Sequence, residues 1–235
     1  LIFYRMKRME QEGLIRSYNA VIDVGRLGFL TYRFYIKMRS FNNKDKEFFE
    51  KYITNFKDRV FVLAVLHGRW DYALIVGVKS AQQLHEIWDS ISNKFKKNIL
   101  NYNFCLYSPI YNFNKLFIED KVILERVYGN DPSLYQAKKM DLDILKIYSN
   151  NTRIPSLHIA QKLKVSLGTV KNRIKILEKE KIICGYKLGL DLTKVGYDNY
   201  RIDIYLTTSS RNKELHEFFK YHQNIYQVHY TIGGA

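Results

Sequence analysis

The chain has 235 residues, 46% hydrophobic and 15% aromatic, ample for more than one packed core, so disorder is excluded as its default. Its 38 Lys+Arg against 23 Asp+Glu leave a formal charge of +15, a field that draws in polyanions, nucleic acid before anionic lipid. The longest clean apolar run, Val60 to Leu66, is too short to span a bilayer, and no leading basic-apolar-small segment points to secretion, so a cytoplasmic protein with no membrane partner is expected.

In chain order, Leu1 opens in mid-helix, and residues 1–26 read as the C-terminal part of a first winged helix-turn-helix in a fragment of a longer protein. Thr31 to Met38 then alternates like a strand, and Asp45 to Phe56 carries Phe48, Phe49, Tyr52 and Phe56 at helical spacing. Val60 to Leu66 is a buried-strand run, and Tyr72 to Val78 a second strand after a short turn. A helix follows, with a capping box from Ser80 to Gln83 and an apolar stripe of Leu84, Ile87, Trp88, Ile91 and Phe95. Leu100, Tyr102, Phe104 and Leu106 then alternate with Asn101, Asn103, Cys105 and Tyr107. The order strand, helix, strand, strand, helix, strand predicts a ferredoxin-like βαββαβ domain over 27–112. The last strand is apolar on both sides at several positions, so its second face is expected to meet a partner.

Residues 113–139 read as a connecting segment, with a helix in Lys115 to Tyr128 and a turn at Gly129-Asn130-Asp131-Pro132. Met140 to Asp191 spells three short helices followed by a two-stranded turn, and residues 140–194 read as a complete winged helix-turn-helix. Its last helix opens on Ser166, a good N-cap, and places Val170, Ile174 and Leu177 on one buried stripe, opposite Lys171, Asn172, Lys175 and Lys179. Ile159, Ala160 and Leu163 mark the inner face of the helix before it. Beyond, Tyr200 to Leu206 reads as a strand, Lys213 to Tyr221 as a helix and Tyr226 to Tyr230 as a strand, making 195–235 the N-terminal part of a second ferredoxin-like domain. The fold class is therefore α+β, with winged helix-turn-helix domains alternating with ferredoxin-like ones.

That alternation is an internal repeat. Pairing Arg5 with Arg173 sets an offset of 173 − 5 = 168. At this offset Lys7/Lys175, Glu10/Glu178, Glu12/Glu180, Ile15/Ile183, Tyr18/Tyr186, Asp23/Asp191, Gly28/Gly196, Tyr32/Tyr200 and Arg33/Arg201 are identical without a gap. Leu1 is thereby equivalent to Thr169, inside a first recognition helix.

Two residue sets suggest binding. On the helix from Ser166, Lys171 and Lys175 form either an ordinary solvated face or a surface that enters a DNA groove, where Thr169 and Asn172 would read base edges. In the second case Ser166, Leu167 and Gly168 lie at the helix start, and Arg153, Lys164 and Lys187 would touch phosphate. At Gly68, Arg69 and Asp71 the choice is between a plain turn and an effector pocket, in which glycine admits a ligand to the backbone and the carboxylate accepts an α-ammonium group. Cys105 and Cys184 read as small buried hydrophobes. The six histidines show no i, i+4 pairing, so no metal is expected. No phosphate-cradling loop, nucleophile elbow or catalytic carboxylate pair appears either, so neither a cofactor nor an enzyme is expected.

The chain resembles the Lrp/AsnC family of leucine-responsive, or feast/famine, regulators. The resemblance is carried by Asp143-Ile144-Leu145, Asn151-Thr152-Arg153-Ile154, Ile159-Ala160, Ser166, Thr169-Val170, Arg173-Ile174, Leu177-Glu178, Ile182-Ile183 and Gly185-Tyr186, and by the turn from Gly68 to Asp71. Lys181 departs from it, standing where a glycine is usual before the wing, as Gly13 does in the first copy. The resemblance implies a transcription regulator that binds double-stranded DNA, responds to an amino acid or similar metabolite, and self-associates through its ferredoxin-like domains, here within the chain as a pseudo-twofold pair or between chains. A sirohaem-decarboxylase-like enzyme on the same two-domain plan and an assembly module that does not bind DNA are the alternatives.

Overall fold

In the computed structural model, residues 1–113, 125–129, 134–149 and 151–233 are described. The elements begin with α1 (Ile2–Gln11), β1 (Ile15–Ile22), β2 (Leu30–Met38), α2 (Asn43–Ile53), β3 (Val60–Val65) and β4 (Tyr72–Val78). They continue with α3 (Ala81–Lys94), β5 (Ile99–Phe113), β6 (Glu125–Tyr128), α4 (Lys139–Tyr148), α5 (Ser156–Leu163) and α6 (Leu167–Lys179). The last three are β7 (Ile183–Leu190), α7 (Asn212–Tyr221) and β8 (Gln227–Ile232). The chain divides into two compact units, each drawn from both copies of the repeat: one takes residues 1–23 and 135–207, the other 24–134 and 208–235. Among the described residues no helix is long and apolar enough to cross a membrane.

The first unit is built on α4, α5 and α6, whose apolar positions converge on a core of Ile144, Leu145, Ile159, Ala160, Val170, Ile174 and Leu177, all under a tenth exposed. The stripe expected on α6 is buried as its spacing requires. The wing differs from expectation. In place of a two-stranded turn within one copy there is a single strand, β7, and its antiparallel partner is β1 of the other copy. Their register is symmetric under the repeat: Tyr18 faces Leu188 and Ala20 faces Tyr186, while Asn19 faces Lys187, its own equivalent since 187 − 168 = 19. The flanking bonds repeat the symmetry, the Asp23 amide donating to the Ile182 carbonyl and the Asp191 amide to the Leu14 carbonyl, both at 2.9 Å. A pseudo-twofold axis thus passes between Asn19 and Lys187.

The strand expected over Tyr200 to Leu206 is not formed. Those residues have no regular structure, and Tyr200 and Ile202 are 80% and 79% exposed. Their equivalents in the first copy lie in β2, which is hydrogen-bonded to β4 on one side and β5 on the other. Among the described residues no strand pairs with Tyr200 to Leu206, so the two flanking ladders that hold β2 have no counterpart there.

The second unit is a sheet of order β3-β4-β2-β5 with α2 and α3 on one face. This is the ferredoxin-like connectivity. α2 starts on a closed capping box: the Asn42 side chain accepts from the Asp45 amide at 3.0 Å and Asp45 accepts from the Asn42 amide at 3.2 Å. In α3 the Ser80 hydroxyl caps the Gln83 amide, but the Gln83 side chain accepts from Lys79 rather than Ser80. The core joins Phe34, Ile36 and Met38 of β2 and Leu74, Val76 and Val78 of β4 to Phe49, Ile53, Ile87 and Ile91 of the helices. Each such side chain contributes ~1.5–3 kcal/mol on burial.

Other expectations need correction in this unit. β3 is an edge strand, so Phe61, Val62 and Val65 stay exposed where a buried run was expected. On β5 the helix-side Leu100, Tyr102 and Phe104 are about half exposed, whereas Cys105 and Tyr107 on the other face are buried. Glu125–Tyr128, expected at the end of a connecting helix, is strand β6, paired with the end of β5. The rest of that expected helix, 115–124, lies outside the described residues, as does the expected turn beyond Gly129. β8 of the second copy hydrogen-bonds to β5 from Leu106 to Asn112.

Candidate nucleic-acid interface

The turn before α6 is set by backbone chemistry. Lys164 ends α5 in the left-handed region, φ 55°, and the Val165 amide returns to the Ala160 carbonyl at 3.0 Å, so α6 starts at once. Ser166 caps it: its hydroxyl accepts the Thr169 amide at 3.0 Å and lies 2.8 Å from the Thr169 hydroxyl. Ser166 and Thr169 therefore spend much of their polarity on each other, with Leu167 and Gly168 exposed between them. Lys171, Asn172 and Lys175 stand exposed on the face opposite Val170, Ile174 and Leu177, and their side chains form no ion pair or hydrogen bond with another described residue. That is an unspent row of donors on a rigid element.

The rigidity has a source the sequence did not single out. Asp141, fully buried at the start of α4, takes a bidentate guanidinium from Arg173, with Nε and a terminal nitrogen at 2.7 and 2.6 Å. Asp141 also accepts the Lys138 amide at 2.9 Å, and Tyr135 joins through the same arginine at 2.9 Å. The Asp141 bonds raise the Arg173 pKa, keeping the guanidinium charged. Because Arg173 is on α6 and Asp141 on α4, the clamp orients the recognition helix. The identity of Arg5 and Arg173 in the repeat was the available signal; Arg5 is exposed and has no such partner among the described residues.

Arg153, expected at phosphate, is engaged elsewhere. It pairs with Glu10 at 2.7 Å, donates to the Tyr18 hydroxyl at 3.0 Å, and stacks over the Tyr18 ring. Tyr18 also donates to Glu10 at 2.6 Å, and the repeat equivalents Tyr186 and Glu178 make the same bond. Lys164 is exposed beside the turn. Lys187 is exposed at the pseudo-twofold axis. In the first copy, Phe3 and Tyr4 hold the places of Lys171 and Asn172 and are 78% and 72% exposed. Cys184 is half-buried rather than buried, its thiol donating to the Lys181 carbonyl at 3.2 Å.

In the second unit, Gly68 and Arg69 are exposed in the β3–β4 turn, with Arg69 over the Trp70 ring. Asp71 is not waiting for a ligand's ammonium. One carboxylate oxygen accepts from Lys37 at 2.9 Å and the other from the Met38 amide at 2.7 Å, which pins the turn to the end of β2.

The family model described as winged helix-turn-helix DNA-binding matches residues 138–183, which hold α4, α5 and α6. An uncharacterized HTH-type transcriptional regulator of Pyrococcus abyssi is 40% identical over 60 residues, 26% of this chain; the chain spans only 41% of that relative's length. LrpA, an HTH-type transcriptional regulator of Pyrococcus horikoshii, is 32% identical over 93 residues, covering 40% of this chain and 66% of its own. Among solved structures, the siroheme decarboxylase NirDL aligns with 97% of this chain and 70% of its own at a TM-score of 0.53 and 9% identity, a likeness of fold alone. Taken with the helix-turn-helix geometry, these matches make the chain similar, over about 40% of its length, to Lrp/AsnC-family helix-turn-helix transcriptional regulators.

Proposed function

We propose that the chain is a sequence-specific DNA-binding transcription regulator whose second unit senses an amino acid or similar small metabolite. The observation that carries it is the row Lys171, Asn172 and Lys175, exposed and unspent on a helix held by the Asp141–Arg173 clamp. Within this reading Asn172 and the lysines face base edges, Ser166, Leu167, Gly168 and Thr169 approach the backbone at the helix start, and Lys164 and Lys187 neutralise phosphate. Arg153 keeps its place in the reading only through its exposed edge, because its charge is shared with Glu10. The symmetric β1–β7 ladder supports a pseudo-twofold pair of modules within one polypeptide. Half-sites are then about 34 Å apart, or a multiple of that, and unequal, since Phe3-Tyr4 replace Lys171-Asn172.

Enrichment of binding sites from random duplex DNA tests the proposal, and failure to recover a preferred sequence would overturn it. Asn172→Ala should cost about 1–3 kcal/mol of discrimination at one position, whereas Lys187→Ala should weaken binding to all sequences and reduce the salt slope by about one. A sirohaem-decarboxylase-like enzyme is the second reading, favoured by the fold likeness over nearly the whole chain. Added sirohaem that leaves the tetrapyrrole absorbance unchanged in the presence of the protein retires it.

A further inference from the structure

Beside the Asp71 turn, a cleft of about 350 Å³ opens where the end of β2, the first turn of α2 and the end of β3 meet. It is lined by Lys37, Arg39, Lys46, His67 and Asp71, with Phe41 and Tyr72 as an aromatic wall whose rings meet edge to face. The lining carboxylate is already spent, since Asp71 is held by Lys37 and the Met38 amide. Tyr72 is spent as well, donating to Glu50 at 3.1 Å, with burial and Glu50 pushing its pKa up so that it adds no negative charge. What remains is cationic. The side chains of Arg39, Lys46 and His67 form no ion pair or hydrogen bond with another described residue. Counting Lys37, Arg39 and Lys46 against Asp71, the cleft carries 3 − 1 = +2 before His67 is considered. Lys46 also lies in the first turn of α2, where the helix field favours anions.

We propose that this cleft binds a compact polyanionic metabolite, two or more carboxylate or phosphate groups on a small carbon frame, with Arg39 and Lys46 as the principal anchors. The proposal rests on the reading of the second unit as a metabolite sensor and changes the class of ligand that the turn suggested. A ligand recognised by its α-ammonium is drawn by negative charge, and the charge of the lining carboxylate is already paired with Lys37; a dianion is drawn by unpaired guanidinium and ammonium donors, and the lining offers both. The volume is at the lower end of small-ligand sites, which suits a compact metabolite. The frame of the ligand lies against Phe41, which Tyr72 backs from beneath.

The test is isothermal titration of the full chain at constant ionic strength with citrate, with glucose 6-phosphate and with a panel of amino acids. Binding of either anion, weakened about tenfold or more by the double variant Arg39→Ala/Lys46→Ala, supports the proposal. The matched variant Lys96→Ala/Lys97→Ala removes the same charge from exposed positions elsewhere and should leave the affinity unchanged. Citrate and glucose 6-phosphate separate a carboxylate from a phosphate ligand. Asp71→Asn sharpens the contrast: anion affinity should hold or rise, whereas an ammonium ligand would be lost. Amino acids binding while both anions fail would overturn the polyanion proposal and leave the sensor standing. Failure of both classes, or anion binding equally reduced by the two double variants, would overturn the proposal; failure of both classes would remove the sensor reading as well.

Discussion

Two stretches of the repeat start alike and end differently. Leu14 to Asp23 and Ile182 to Asp191 are copies of a wing, and they pair with each other in a register that the repeat maps onto itself. The correspondence continues to Gly28 and Gly196, both at φ 80°, each closing a short 3₁₀ turn. Immediately afterwards it fails. Tyr32 to Met38 lies within β2 and is largely buried, whereas Tyr200 to Leu206 is exposed and irregular. The wing copies succeed because each is the other's hydrogen-bonding partner and the chain holds both. The strand copies diverge because β2 is laddered between β4 and β5, whereas among the described residues no strand pairs with Tyr200 to Leu206. Identical local preference is thus realised only where a ladder is available.

Substitutions at matched positions sharpen that contrast. Phe34 and Ile202 are equivalent, since 202 − 168 = 34, but Phe34 is 1% exposed and Ile202 79%. Phe34→Ala should cost about 3–5 kcal/mol, and Ile202→Ala less than about 0.5. Both tryptophans, Trp70 and Trp88, lie in the second unit, so urea unfolding followed by their fluorescence reports the Phe34 effect directly. A large cost at Ile202, measured by circular dichroism for the first unit, would mean that the segment is packed after all.

The next largest effect separates Arg173 from its twin Arg5. Arg173→Ala strands the buried Asp141 carboxylate and should destabilise the first unit by about 3 kcal/mol, while Arg5→Ala stays within about 0.5. Hydrogen exchange of α4 and α6 amides checks both. A smaller effect concerns the residue entering each wing. Gly13 and Lys181 are equivalent and both left-handed, at φ 72° and 54°. Lys181→Gly should therefore stabilise by about 1 kcal/mol and Gly13→Lys destabilise by a similar amount, read as opposite shifts in midpoint. Equal signs would show that side-chain contacts, rather than backbone conformation, dominate there.

The smallest effect is acid-dependent. The Thr193 hydroxyl, bonded to Asp191 at 2.7 Å, and the Arg16 guanidinium at 2.5 Å hold the Asp191 pKa below its ordinary value. The folded pKa is lower than the unfolded one, so this contribution is present above about pH 3.9 and is lost as pH falls through the folded value. Exchange of β1–β7 amides should quicken on that acid side, and Asp191→Asn should remove this part of the pH dependence.

Spacing alone determined much of the molecule. The buried stripe of Val170, Ile174 and Leu177, the Ser166 cap, the span of β4, and the strand-helix order of the ferredoxin-like unit follow from local periodicity and capping chemistry, which act within a few residues. The repeat was legible too, being an identity of letters. Tertiary structure decided what each charge and each edge is used for, because those partners are far apart in the chain. Asp141 meets Arg173 across 32 residues, Arg153 meets Glu10 across 143, and Asp71 is taken by Lys37 and Met38 on the neighbouring strand. The pairing of β1 with β7 and the exposure of Tyr200 to Leu206 have the same origin. A hydrogen-bonding edge has no pattern in the sequence that names its partner, and only the folded chain shows which edges are filled.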